Sequence, residues 1–141
     1  MKPQIFALLT AIAWGVGGYF EKRGLHLGNL PPQLGIALRT AVALVILGLA
    51  SAPHWKSLTQ APARALVYMI LGGGVLAGSI GMLCFYTALK GAPLTKVMPI
   101  AFTSPLFGAL LAVMIGGEPL TARTLVGMTL TIGGIIVLTA G

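Results

Sequence analysis

Residues 33–50 read QLGIALRTAVALVILGLA, eighteen positions carrying one charge, Arg39. About twenty apolar residues cross the hydrocarbon of a bilayer as an α-helix. Arg39 then lies within a membrane span. Ionisable groups there cost about 2.5–3.5 kcal/mol on insertion scales, so they face a polar interior and mark pathways. Working outward, comparable apolar stretches run over about 3–20, 63–89, 94–115 and 121–140. The sequence therefore predicts an all-α membrane protein of five transmembrane helices, forming a single domain over 1–141.

The breaks between spans are written in turn residues. Gly28-Asn29-Leu30-Pro31-Pro32 ends the first helix and starts the second. Ser51 to Pro62 is the most polar segment and reads as a loop, with Trp55 as an interfacial anchor. Lys90-Gly91-Ala92-Pro93 is a tight turn, and Gly116-Gly117-Glu118-Pro119 precedes Thr121, which can cap the last helix. Connections this short make spans 1–2, 3–4 and 4–5 antiparallel hairpins. No repeat is evident inside the chain.

Composition excludes other classes. The chain is 57% apolar and 8% charged, against about 25% charged in soluble domains. A net charge of +7 would suit nucleic acid, but no basic run exceeds Lys22-Arg23. Anionic headgroups of membrane lipids are the simpler partners for those cations. No metal-ligand cluster, nucleophile triad or phosphate loop is present, and Gly72-Gly73-Gly74 lacks the Lys and Ser/Thr that a nucleotide loop requires. No enzyme activity, cofactor or metal is expected. Cys84, the single cysteine, reads as a small apolar residue. Lys2 and Ala11-Ile12-Ala13 faintly resemble a cleavable signal, but apolarity continues to Phe20, so a retained first span is expected.

An odd number of spans puts the two ends of the unit on opposite sides of the membrane. Lys2, Lys56, Arg64 and Arg123 fall on one side, and Lys22, Arg23, Lys90 and Lys96 on the other. Orientation follows Lys/Arg bias in short loops, and four against four supplies none. Such a chain can insert both ways and pair with its own inverted copy, the arrangement on which many transporters are built.

Trp14-Gly15 with Lys22 in span 1, then Leu30-Pro31-Pro32 and Arg39, resemble the first two helices of an EamA domain. Tyr86-Thr87-Ala88-Leu89-Lys90-Gly91-Ala92, Pro105, Gly117-Glu118-Pro119-Leu120, and Gly127 with Gly133-Gly134-Ile135 continue the match over essentially the whole chain. The family belongs to the drug/metabolite transporter superfamily. The resemblance implies a transporter of small metabolites, amino acids or drugs in the cell (inner or plasma) membrane. Members commonly carry two such units in inverted orientation. One unit here implies pairing, as an antiparallel homodimer or with a homologous chain.

Glu21, Lys22 and Arg39 form the sharpest constellation. Counted from the first hairpin's turn, Glu21 and Arg39 sit at similar depth, roughly 9–12 Å in at 1.5 Å per residue, and can pair. They line a substrate or proton site, or else lock the hairpin; Lys22 can instead snorkel to the interface. Glu21 is the only carboxylate near a span, but its cationic neighbours stabilise the anion, which weighs against a proton role. His26, beside the turn, reads as interfacial. Trp14, Tyr19 and Tyr86 are further cavity candidates, as are the hydroxyls of Ser79 and Thr103, although Ser and Thr often bond their own helix backbone. Pro99 and Pro105 should bend span 4. Gly74 with Gly78, and Gly127 with Gly134, offer thin faces for close helix packing, the latter as a dimer seam.

The sequence reading is a secondary transporter of a small-molecule substrate, working by alternating access as a dimer, with a cavity lined by spans 1 to 4. A flippase of lipid-linked substrates or a heteromeric partner subunit is the alternative. A non-transporting membrane subunit is the second.

Overall fold

The computed structural model describes residues 3–140; Lys2, part of the charge count above, lies outside them. Among the described residues the regular structure is entirely helical. The helices are α1 (Pro3–Leu27), α2 (Pro32–Ser51), α3 (Trp55–Gln60), α4 (Ala63–Tyr68), a π-helical segment (Met69–Gly81), α5 (Met82–Gly91), α6 (Leu94–Ala101), α7 (Ser104–Met114) and α8 (Ala122–Thr139). Together they make five spans long and apolar enough to cross a membrane: Pro3–Leu27, Pro32–Gln60, Ala63–Gly91, Leu94–Met114 and Ala122–Thr139.

The segment Ser51 to Pro62, expected as a loop, is mostly helix and carries the second helical stretch on to Gln60. Pro53 lies at the start of a 3₁₀ turn, Ala52–His54, where its missing N–H breaks no helical bond. Ser51 bridges the junction, donating to the Gly48 carbonyl at 3.2 Å and accepting from Trp55 Nε1 at 2.9 Å. The break comes at Ala61 and Pro62, both extended. The first helix runs past residue 20 to Leu27, the end from which the depth of Glu21 is counted. Span 4 is two helices parted at Phe102 and Thr103, between Pro99 inside α6 and Pro105 in the first turn of α7. Proline removes a backbone donor from a continuing helix and suits the start of a new one. Thr121 opens α8, its side chain accepting from the Thr124 N–H at 3.1 Å.

The chain divides into two compact units, residues 19–91 and residues 1–18 with 92–141. In the first, α1 ends in a Schellman motif. The Leu30 N–H reaches the Leu25 carbonyl at 3.0 Å and the Asn29 N–H reaches that of His26 at 3.2 Å. Asn29 takes the left-handed conformation this stop requires, with φ 42°. Pro31 and Pro32 then launch α2. Leu25, Tyr86 and Leu89 are the buried centre of this unit. In the second unit Val97 is buried. An added Cβ on Gly18 would lie 3.1 Å from the Met98 methyl, and Trp14 meets Phe102 with ring centroids 6.0 Å apart.

The rest of the apolar surface faces outward. At most 6% of the residues in the apolar core of any span are buried, and Leu44, Ile115 and Val137 are each more than two-thirds exposed. Withholding one such side chain from burial costs about 1.5–3 kcal/mol in water. Lipid is the solvent that removes this cost across five spans, and the protein is an integral, multi-pass membrane protein. Hydroxyls on the spans are satisfied locally: Thr10, Thr87, Thr129 and Thr131 each donate to the carbonyl four residues back.

Candidate functional site

Within the unit 19–91, α1, α2 and α5 enclose an open pocket of about 380 Å³. This lies at the small end of the range of about 300–1,000 Å³ typical of ligand pockets. Phe20, Glu21, Gly24 and Leu25 contribute from α1, Leu30 from the turn, and Tyr86 from α5. The α2 wall is Gly35, Leu38, Arg39 and Val42, a spacing of three or four that puts all four on one helix face.

The walls are apolar except at one point. Arg39 Nε lies 2.8 Å from Glu21 Oε1, with the side chains 39% and 22% exposed. That is a charge-assisted contact, stronger than a neutral hydrogen bond. The Tyr86 side chain lines the same pocket, with its hydroxyl beside the Glu21 carboxylate. Three polar groups from three spans therefore converge on one apolar pocket. The depth argument from the hairpin brings Glu21 and Arg39 together as the structure does.

Gly35 is what allows this approach. A Cβ built there would lie 2.6 Å from Leu25 Cδ2 and 3.0 Å from Tyr86 Cε1. The Tyr86 ring packs into the space a side chain would fill, one helical turn from Arg39. Sequence reasoning passed over Gly35. The available signal was its position four residues before the intramembrane arginine, on the same face. Leu25, Leu30, Leu38 and Val42 were missed as walls because nothing in their identity separates them from lipid-facing residues.

The other residues singled out from sequence fall elsewhere. Lys22 turns to the end of α5, donating to the Leu89 carbonyl at 2.6 Å, with His26 Nε2 3.4 Å from the same oxygen. Cations at a helix C-terminus satisfy its last carbonyls and its dipole. Tyr19 is half-exposed and accepts from Arg23 at 3.2 Å. The Ser79 hydroxyl donates to the Gly74 carbonyl at 2.9 Å, and that of Thr103 to Ile100 at 2.7 Å. Trp14 and Thr103 belong to the other unit. Gly74, Gly127 and Gly134 have open space where a side chain would be. Among the described residues no group of His, Cys, Asp and Glu is placed to hold a metal ion.

Comparison with known proteins agrees with the architecture. The model of the EamA-like transporter family matches residues 1–140. An uncharacterized transporter of Sinorhizobium sp is 26% identical over 137 residues, covering 96% of this chain and 94% of that protein. An uncharacterized protein of Methanocaldococcus jannaschii is 27% identical over 134 residues, covering 95% and 93%. An uncharacterized transporter of Clostridium kluyveri is 22% identical over 134 residues, covering 94% of this chain but 42% of its own length. No solved structure matches the chain. The same unit thus makes up nearly all of two relatives and under half of a third. With five apolar spans and a match along its whole length, the chain belongs to the EamA-like transporter family, of the drug/metabolite transporter superfamily.

Proposed function

We propose that this membrane protein is a secondary transporter of a small metabolite or drug-like solute, and that the pocket holding Glu21 and Arg39 is its substrate site. The observation that carries the reading is the ion pair itself, held at 2.8 Å in an otherwise apolar pocket between membrane spans. Ionisable residues in that setting face a polar interior, pair with one another and mark substrate or ion pathways. The site binds and releases solute without chemical conversion, so the protein acts as a carrier and not as an enzyme.

Transport is by alternating access, with a second unit supplied by an inverted copy of this chain or by a homologous partner. The four-to-four division of basic residues supports the inverted homodimer, because neither insertion is favoured. A longer relative, of which this unit covers under half, is in keeping with a pair of units working together.

Purified protein in liposomes tests the reading. Labelled amino acids, organic acids and ethidium are the probes, and Arg39→Gln and Glu21→Gln are the variants. Flux of at least one probe, lost in both variants while the protein still folds, is the expected result. Unchanged flux in both variants removes the pocket as the site. Flux of a lipid-linked probe alone replaces the carrier with a flippase. Reporters fused to the C-terminus, one active only in the cytoplasm and one only outside, test the dimer. Signal from one side alone removes the inverted homodimer.

A further inference from the structure

Span 3 contains thirteen consecutive π-helical residues, Met69–Gly81, between α4 and α5. The π-helix bonds i to i+5, is rare, and is found mostly as single-turn bulges, frequently at functional sites. Each π turn takes in one residue more than an α turn. It therefore acts as a one-residue insertion between the helical stretches on either side.

The segment's residues suit that register. Among the glycines of the segment, Gly78 comes closest to the carbonyl five residues back: a Cβ there would lie 2.8 Å from the Gly73 oxygen. At Gly81 the corresponding distance, to the Leu76 oxygen, is 3.2 Å. Ser79 reinforces the register with its hydroxyl bond to the Gly74 carbonyl, again five residues back. Gly72, Gly73 and Gly74 have no neighbour within 4 Å of an added Cβ. At those three positions no packed neighbour holds one register against the other.

Tyr86 stands five residues beyond the segment, buried, with its hydroxyl beside Glu21. Phe85 precedes it, the two rings 6.2 Å apart. Release of one π turn to α slips α5 by one residue, a rotation of about 100° and a shift of about 1.5 Å. Tyr86 then moves on and Phe85 takes its place. We propose that Met69–Gly81 is a register switch whose π-to-α step exchanges the hydroxyl-bearing ring of Tyr86 for the plain ring of Phe85 beside the Glu21–Arg39 pair. The exchange withdraws one polar contact from the pocket. In the reading of that pocket as the substrate site, on which the consequence for transport rests, this weakens the hold on a polar solute at one stage of the cycle.

Cross-linking in the membrane reads the register directly. In a Cys84→Ser background, Val42→Cys is paired with either Tyr86→Cys or Phe85→Cys and treated with a short bifunctional thiol reagent. Both pairs should react in otherwise native protein, with 42–86 dominant. Adding Gly78→Ala, which crowds the Gly73 carbonyl only in the π register, should move reaction towards 42–85 by several-fold. The gentler Ser79→Ala, which removes the hydroxyl bond, should move it the same way by less. Reaction at 42–86 alone, in native protein and in both variants, overturns the switch. No substrate is needed, so that result leaves the carrier reading standing. Loss of flux in Arg39→Gln bears on the carrier reading and leaves the cross-linking pattern as it is.

Discussion

Removing one partner of the Glu21–Arg39 pair should cost more than removing both in proportion. The contact is 2.8 Å long, with side chains 39% and 22% exposed. Fully exposed pairs are worth about 0.2–1 kcal/mol. Breaking a fully buried pair costs about 3–5 kcal/mol, because the remaining charge is stranded. This pair lies between those limits, so Arg39→Gln and Glu21→Gln should each destabilise by about 2 kcal/mol. Arg39→Gln leaves a carboxylate among Phe20, Leu25 and Leu38; Glu21→Gln leaves a guanidinium in the same place. The double variant leaves neither. Its loss should fall short of the sum of the singles by about 1–2 kcal/mol. Unfolding by SDS titration in mixed micelles, run on all four proteins at one pH and salt concentration, gives the cycle. Additivity within about 0.3–0.5 kcal/mol refutes the reasoning, since that is how independent sites behave.

Two further outcomes rest on backbone geometry. Gly35→Ala places a methyl 2.6 Å from Leu25 Cδ2 and 3.0 Å from Tyr86 Cε1, and overpacking of this kind costs about 1–3 kcal/mol. It should lower the unfolding midpoint and change tyrosine fluorescence, with Leu25→Ala in the same chain restoring part of the loss; an unchanged midpoint contradicts the close approach. Asn29 has φ 42° at the end of α1, so Asn29→Gly should be neutral or mildly stabilising and Asn29→Val should cost about 1–2 kcal/mol. Equal midpoints for the two variants would tell against the left-handed stop.

The five spans were legible because apolar length is a composition signal, and lipid makes it a strict one. The helix after residue 51 was read as a loop because Pro53, His54 and Lys56 look like one, whereas Pro53 falls at a kind of position where a helix can restart around it. Glu21 and Arg39 could be paired from sequence because a tight hairpin fixes relative depth by counting. The pocket walls could not be found, since a leucine facing Tyr86 and one facing lipid are the same residue. The π segment was equally hidden. Gly72-Gly73-Gly74 announced a thin helix, but α and π registers differ in which carbonyl each N–H selects, and hydrophobic pattern does not report that choice.

The placement of the ion pair also has a meaning for biosynthesis. Glu21 and Arg39 lie on the first two spans, joined by a turn closed with local backbone bonds. Both charges leave the ribosome well before Tyr86, which follows Arg39 in the chain by 47 positions (86 minus 39). At about 5–20 residues per second, that interval is about 2–9 s. During it the nascent hairpin can enter the bilayer as a unit with its charges already matched, so that Arg39 does not meet hydrocarbon alone. The third span then arrives at a surface that is finished, and the opening beside Gly35 receives the Tyr86 ring as the last piece of an assembly begun at the translocon.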